Sequence, residues 1–288
     1  MWVSNNWQDY ALLDCGNGQR LERWGKVHLV RPDPQAIWQP ALQHPRWQQP
    51  DARYFRSKEG GGHWERYSLP AEQWQINYRE LSFNVKPMNF KHTGIFPEQA
   101  VNWDTAASLI KGANRPVSVL NLFAYTGGAT LAAAAAGASV CHVDAARGMV
   151  SWARENAALS GLAEKPIRWI VDDCVTFLRR EIKRGKKYDA VIMDPPSYGR
   201  GPTGEVWKIE EGLFPLISLV KEVLSDDPLF VFVNLYSGGL APSVGGYMLG
   251  RLLCPELGGT VACDEIGLSV EGTGLPLPCG ATARWIRT

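Results

Sequence analysis

This 288-residue chain has little that would draw it to a membrane, a metal or a strongly charged partner. Its 30 lysines and arginines nearly balance 29 aspartates and glutamates, for a net charge of +1. The overall field that pulls a strongly basic protein onto nucleic acid is therefore missing. No run approaches the roughly 18 apolar residues of a membrane-spanning helix. The start, Met1-Trp2-Val3-Ser4-Asn5, lacks the basic-then-apolar order of a secretory signal. These absences predict a cytoplasmic protein. The six cysteines (Cys15, Cys141, Cys174, Cys254, Cys263, Cys279) never fall into Cys-x-x-Cys, which favours reduced structural thiols over disulfides or zinc. Five histidines without ligand-like spacing complete the expectation of no metal. With 45% hydrophobic residues, the chain can bury the core of one large domain and a smaller one.

The most informative stretch is Asp194-Pro195-Pro196-Ser197-Tyr198, after the apolar run Ala190-Val191-Ile192-Met193. An acidic residue at a buried strand's carboxyl end, then two prolines and an aromatic, forms a stiff lip beside a polar acceptor. Proline fixes φ and lacks a backbone donor, so the turn is rigid and its carbonyls stay available. Asp194 can accept from a substrate N–H or O–H, and Tyr198 can stack on a flat ring. The plainer alternative is a strand-to-loop turn in which Asp194 caps a neighbour.

Upstream, Val117 to Phe123 forms a second apolar strand that runs through Ala124-Tyr125-Thr126-Gly127-Gly128 into a helical stretch, Leu131 to Ala136. Strand, glycine turn and helix open a doubly wound α/β sheet, which binds ligands at the carboxyl ends of its strands. Gly127 and Gly128 lack Cβ atoms, so the backbone there can approach a ligand. Val140 to Val143 ends at Asp144, placed to accept both hydroxyls of a ribose about 20 residues past the first loop. Ile167 to Val171 ends at Asp172-Asp173, placed to read an adenine edge. A dinucleotide calls for G-x-G-x-x-G at the first turn, which here has only the adjacent glycine pair. A wider turn suits a phosphate-free ligand held by an amino-acid moiety and a ribose, such as S-adenosylmethionine (SAM).

Asn121 to Gly128, His142-Val143-Asp144, Asp173-Cys174 and Asp194 to Tyr198 resemble the motifs of class I SAM-dependent methyltransferases. Within them the chain is similar to the bacterial ribosomal-RNA large-subunit methyltransferase I/K-like group. Phe90 to Gln99 resembles that group's Lys-Thr-Gly-x-Phe-x-x-Gln element. The resemblance covers about residues 75 to 240 and implies a Rossmann-like, doubly wound, seven-stranded sheet. It further implies SAM contacts from Asn121, Phe123, Ala124, Tyr125, Thr126, Gly127, Asp144, Ala145, Asp173, Cys174 and Asp194, with Thr93, Phe96 and Gln99 lining the cofactor mouth. Methyl transfer is expected beside Asp194, Pro195, Pro196 and Tyr198, with RNA, ribosomal above all, as partner.

The chain departs from the family where cytosine-C5 enzymes carry a nucleophilic cysteine. The fifth strand, Leu229 to Val233, leads into Asn234-Leu235-Tyr236-Ser237-Gly238-Gly239 with no cysteine. Covalent C5 chemistry thus lacks its catalyst, and transfer to nitrogen or oxygen is expected. Rival readings are a small-molecule methyltransferase, an inactive SAM-binding RNA-binding module, and a nicotinamide oxidoreductase on the same scaffold.

Two domains are expected, a β-rich subdomain over residues 1–85 and the methyltransferase domain over residues 86–288. In the first, Tyr10 to Asp14, an Asn17-Gly18 turn and Lys26 to Val30 read as a hairpin. Trp38, Trp47, Trp64 and Trp74 lie among its turns, most of them as core and one or two placed to stack a base. In the second, helices are expected over Arg147 to Ser160, Val175 to Arg184 and Glu210 to Ser225, alternating with strands as in a parallel sheet. Loops are expected at Gly60 to Gly62, and loop or close-packing sites at Gly238-Gly239 and Gly245-Gly246.

Overall fold

The computed structural model describes residues 1–57, 61–200, 206–236 and 240–288. The expected loop positions Gly60, Gly238 and Gly239 lie outside the described residues. The chain forms two compact units. One comprises Val3–Glu98 with Gly267–Pro278; the other comprises Met1–Trp2, Gln99–Ile266 and Cys279–Thr288. The first unit therefore extends past the expected boundary at residue 85. Backbone bonds from Lys86 N to Thr93 O (3.0 Å) and from Met88 N to His92 O (3.2 Å) close the next stretch on itself, and Arg31 Nη1 donating to Lys91 O (3.0 Å) and Trp64 Nε1 to Phe90 O (2.9 Å) tie it to the unit. Its distant segment is held by Glu271 N donating to Leu12 O (2.8 Å) and Gly272 N to Leu13 O (3.0 Å), pairings no local pattern announces.

In the amino-terminal unit, strands Tyr10–Gly16, Gln19–Trp24, Val27–Pro32, Ala52–Arg56 and Gly62–Arg66 form one sheet in that order. Asn17 (φ +51°) and Gly18 (φ +72°) make a left-handed two-residue turn. They join Tyr10–Gly16 to Gln19–Trp24, not to the strand at Val27 as expected. The overlooked strand carries Arg20, Glu22 and Arg23, charges that disguise it. Its Glu22 is fully buried because Arg31 Nε (2.5 Å) and Nη2 (2.6 Å) and the Tyr10 hydroxyl (2.9 Å) all donate to it.

The larger unit alternates helices and strands: α1 (Ala100–Gly112), β1 (Ser118–Leu122), α2 (Gly128–Ala135), β2 (Ser139–Asp144), α3 (Arg147–Leu159), β3 (Ile167–Val171), α4 (Cys174–Lys183), β4 (Ala190–Met193), α5 (Ile209–Glu222), β5 (Phe230–Leu235), α6 (Pro242–Leu257), β6 (Thr260–Ser269) and β7 (Pro276–Ile286). The sheet runs β3-β2-β1-β4-β5-β7-β6, with the short strand Trp2–Ser4 beyond β6 as an eighth. Strands β1 to β5 pair in parallel and β7 is antiparallel to β5. This is the expected doubly wound α/β class, enlarged by one edge strand.

Successive residues of a strand face opposite sides, and the core divides accordingly. Leu120, Leu122, Val191, Met193, Val231 and Val233 pack on the side of α4, α5 and α6. Val119, Ala190, Ile192, Phe230 and Phe232 pack with Ala106 and Ile110 of α1 and Ala133 and Ala134 of α2. Burial on both faces explains why these strands read as unbroken apolar runs. Helix α6 contains the Gly245-Gly246 pair. A Cβ on Gly245 would lie 3.0 Å from Ala283 Cβ and 3.0 Å from Leu235 Cδ1, so the pair serves close packing within a helix. No helix among the described residues is long and apolar enough to cross a membrane.

Candidate functional site

The ends of β1, β2, β3 and β4 gather most of the expected residues onto one edge of the sheet. After β1 the chain enters a strained turn, with Phe123 (φ +54°) and Tyr125 (φ +50°) left-handed although neither is glycine. Such conformations persist where the surroundings over-determine them. Tyr125 N donates to Asp144 Oδ2 (2.8 Å), Ala124 N to Val143 O (3.1 Å), and the buried Asn156 amide of α3 to Thr126 O (2.9 Å). Gly127 (φ +92°) precedes α2 as its N-cap.

The glycine pair also serves packing. A Cβ on Gly128 would fall 2.4 Å from Trp103 Cζ2 of α1, and one on Gly127 would fall 3.0 Å from Ala153 Cβ. Both bare positions admit protein atoms and so help seat α2 against its neighbours.

Beneath the turn, Asn121 Nδ2 donates to Thr130 Oγ1 (2.9 Å), which also meets His142 Nδ1 (2.9 Å). Asn121, Thr130 and His142 are all buried. Burial, seconded by Arg154, lowers the His142 pKa to about 3, so its ring is neutral at ordinary pH. The Asn121 side chain thereby links β1, α2 and β2 from within.

Asp144 ends β2 with both oxygens engaged, Oδ1 accepting from Ala146 N (2.8 Å) and Oδ2 from Tyr125 N. Burial raises its pKa against these two backbone donors. A carboxylate oxygen has more than one acceptor site, so each can take a further donor. Ala145, next in the chain, is exposed. At β3's end Asp173 caps α4, accepting from Thr176 N (2.8 Å). Cys174 is buried, and its Sγ accepts from Phe123 N (3.3 Å). Desolvation drives its thiol pKa far above the usual range, so it stays protonated.

The Asp-Pro-Pro loop follows β4. Asp194 N donates to Leu122 O (3.4 Å), extending the ladder with β1 towards the turn. Pro195 is buried and Pro196 exposed, while Tyr198 is 54% exposed, as a stacking role requires. Tyr198–Arg200 pairs with Val206–Lys208 as a short hairpin. One residue that sequence reasoning missed orders this loop. Trp207 Nε1 donates to Pro196 O (2.6 Å), and its ring lies 5.7 Å from Phe123, centroid to centroid. The same ring occupies the space a Gly212 side chain would need, a Cβ there falling 2.4 Å from it. Trp207 also lines a cavity of about 490 Å³ with Val175, Arg179, Pro215 and Leu219. That cavity lies among α4, α5 and the hairpin and includes none of the turn residues.

Thr93 and Phe96 belong to the amino-terminal unit. Thr93 is fully buried, its Oγ1 without a hydrogen-bond partner among the described residues. Phe96 meets the His92 ring edge-on at 5.1 Å. Gln99 starts the larger unit and joins a second missed feature, a buried polar network. Gln99 Nε2 donates to the Tyr236 hydroxyl (2.7 Å), and Asn102 Nδ2 approaches Gln99 Oε1 (2.8 Å), Thr282 Oγ1 (2.9 Å) and Asn234 Oδ1 (3.0 Å). Thr282 Oγ1 donates to Asn234 Oδ1 (2.8 Å), and Arg284 Nη2 to Asn102 Oδ1 (2.6 Å). No sequence pattern marks these partners, which lie up to 182 residues apart.

The strained turn, an Asp144 carboxylate with acceptor capacity and the exposed Ala145 beside it fit a nucleoside-bearing ligand such as SAM. Comparison with known proteins agrees. The sequence model of S-adenosylmethionine-dependent methyltransferases matches residues 47–209. The crystal structure of a SAM-dependent methyltransferase from Agrobacterium tumefaciens superposes with a TM-score of 0.94 at 36% identity, covering 100% of this chain and 93% of that one. The ribosomal RNA large subunit methyltransferase K/L of Shewanella frigidimarina is 30% identical over 154 residues, 53% of this chain and 21% of that protein. The Vibrio cholerae protein of the same name is 27% identical over 179 residues, 62% of this chain and 24% of its own length. The matches thus span about a quarter or less of these curated relatives.

Proposed function

Because the chain belongs to the S-adenosylmethionine-dependent methyltransferase family, we propose that it methylates a nitrogen or oxygen of RNA, with large-subunit ribosomal RNA as the acceptor pool. The observation that carries this reading is the ladder bond from Asp194 N to Leu122 O, which sets the Asp-Pro-Pro loop beside the turn that would hold the cofactor. The RNA class is supported by the relatives named as ribosomal RNA large subunit methyltransferases. The finer kinship within that group, to its K/L members or to an I/K-like branch, belongs to the same proposal. So does a cytoplasmic location, where such RNA is met.

When bound, SAM supplies an electrophilic methyl group on a sulfonium centre. The chain's own contribution is positioning and exclusion of water, since in-line displacement needs alignment more than covalent help. Asp144 would accept from the ribose hydroxyls, while Ala145, Asp173 and Cys174 would border the adenine. Asn121, Phe123, Ala124, Tyr125, Thr126 and Gly127 would shape the amino-acid side, with Gln99 at the mouth. Asp194, or the Pro195 carbonyl, would accept a hydrogen bond from the acceptor group and turn its lone pair towards the methyl, the proton passing to water once the new bond has formed. Pro196 and Tyr198 would bracket the acceptor ring. The absence of cysteine from residues 229–239 disfavours covalent attack on a pyrimidine carbon. Incubation with labelled SAM and RNA from a strain lacking the protein, then nucleoside mass spectrometry, tests the reading. A methylated nucleoside restored by the protein is expected; no labelled nucleoside in any RNA fraction would defeat it.

A further inference from the structure

Tyr236, the residue that follows β5, is fixed on two sides. Strands β4 and β5 are parallel with Met193 opposite Val233. Asp194 directly follows Met193 and Tyr236 stands three residues past Val233, so both leave the sheet from the ends of neighbouring strands. On the other side β5 runs antiparallel to β7 with Leu235 opposite Ala281, so Tyr236 comes opposite Gly280. A Cβ on Gly280 would lie 2.9 Å from Tyr236 Cδ1 and 2.9 Å from Cε1. The ring therefore rests on bare backbone. Its hydroxyl receives the Gln99 amide at 2.7 Å, and that amide is steadied in turn by the buried Asn102. Tyr236 itself is only partly buried. An aromatic locked by a polar network behind it, yet presenting surface at the strand-end edge, is arranged as a first contact for something outside the fold.

We propose that Tyr236 is an acceptor-contacting residue, its ring and hydroxyl forming the wall that faces the Asp194–Tyr198 loop and setting how the methyl acceptor lies. The Gln99–Asn102–Asn234–Thr282 network is the positioning apparatus for that wall. This rests on the methyl-transfer reading and extends it to substrate orientation. The residue stands after the fifth strand, where no cysteine occurs, so its contribution is to hold the acceptor rather than to attack it.

The test uses the full chain. Wild type is first incubated with labelled SAM and either total RNA or an RNA-free extract, and the labelled fraction identifies the acceptor. Tyr236→Ala, Tyr236→Phe and Gly280→Ala are then compared on that fraction, with SAM affinity measured separately by calorimetry. Tyr236→Ala should lower kcat/KM for the acceptor about 30-fold, in the range of positioning effects, with SAM affinity within about twofold. Tyr236→Phe should keep the ring and lose about 3- to 10-fold, the size of one hydrogen bond. Gly280→Ala should tilt the ring and raise the acceptor KM while SAM affinity holds. If Tyr236→Ala does not fold, the other two variants carry the comparison. Wild-type kcat/KM in the variants, or equal losses of SAM affinity and acceptor rate, would overturn the assignment. Label appearing only in the RNA-free extract would sink the RNA reading alone, and no label in either fraction would sink both.

Discussion

Two buried polar sites, one in each unit, are stabilised by opposite chemistry. In the amino-terminal unit a fully buried carboxylate, Glu22, is matched by Arg31, with Arg20 3.7 Å away. Burial opposes the charge on Glu22, yet Arg31 and Arg20 outweigh it and leave its pKa below the ordinary value. In the larger unit the network at the ends of β5 and β7 is built from amides and hydroxyls, with Arg284 as its one charge. Arg284 has no carboxylate partner among the described residues; it lies 3.7 Å from the Trp2 ring centre, and burial lowers its pKa to about 10. A charged cluster depends on both partners and on pH. The amide network holds one protonation state across the working range, which suits a scaffold that must keep a strand-end edge in one geometry.

The largest effect should come from breaking the charged cluster. Glu22→Ala leaves Arg31 buried beside a hole and should cost about 3–5 kcal/mol in denaturant unfolding; a loss under 1 kcal/mol would show that cluster to be dispensable. Asp194→Ala, on the larger unit's edge, should cut methyl transfer about 100-fold, or about 2.7 kcal/mol at 1.36 per tenfold. SAM affinity and folding stability should stay near wild type, and undiminished turnover would remove Asp194 from the chemistry. Asp144→Ala should weaken SAM binding by ~1–3 kcal/mol, the cost of orphaned hydroxyls, with calorimetry as the check. An unchanged affinity would refute the ribose role.

A further contrast is one of pH. His142 stays neutral in the fold to a pH of about 3, whereas its ordinary value is 6.5. The unfolded chain therefore binds more protons as pH falls through that interval, and stability is lost within it. Glu22 acts lower. With a depressed folded pKa, its contribution is complete above the ordinary 4.5 and disappears as pH falls below it. Melting curves of His142→Gln should lose the slope between pH 6.5 and 4.5, and those of Glu22→Gln should converge on wild type only below 4.5. The reverse assignment of the two slopes would undo the contrast between the two sites.

The apolar runs of β1, β4 and β5, the acidic residues that end β2, β3 and β4, and the diproline bend were legible in the sequence. Strands buried on both faces need continuous hydrophobicity, and a parallel sheet exposes its polar groups where strands end. Those local requirements determined the α/β class and the residues of the site's edge. Other features depended on long-range contacts. Helix α6 was hidden by Gly245, Gly246 and Pro255, poor helix formers whose glycines are justified only by the nearness of Ala283, Leu235 and Cys263. Strand Gln19–Trp24 was hidden by charges that only Arg31 and Tyr10 make tolerable. Trp207's hold on Pro196, the packing purpose of Gly127 and Gly128, and the Gln99–Asn102–Tyr236 network were likewise decided by tertiary structure. Each joins residues from separate elements, and a hydrogen bond across 137 positions, such as Gln99 to Tyr236, leaves no periodicity in the chain.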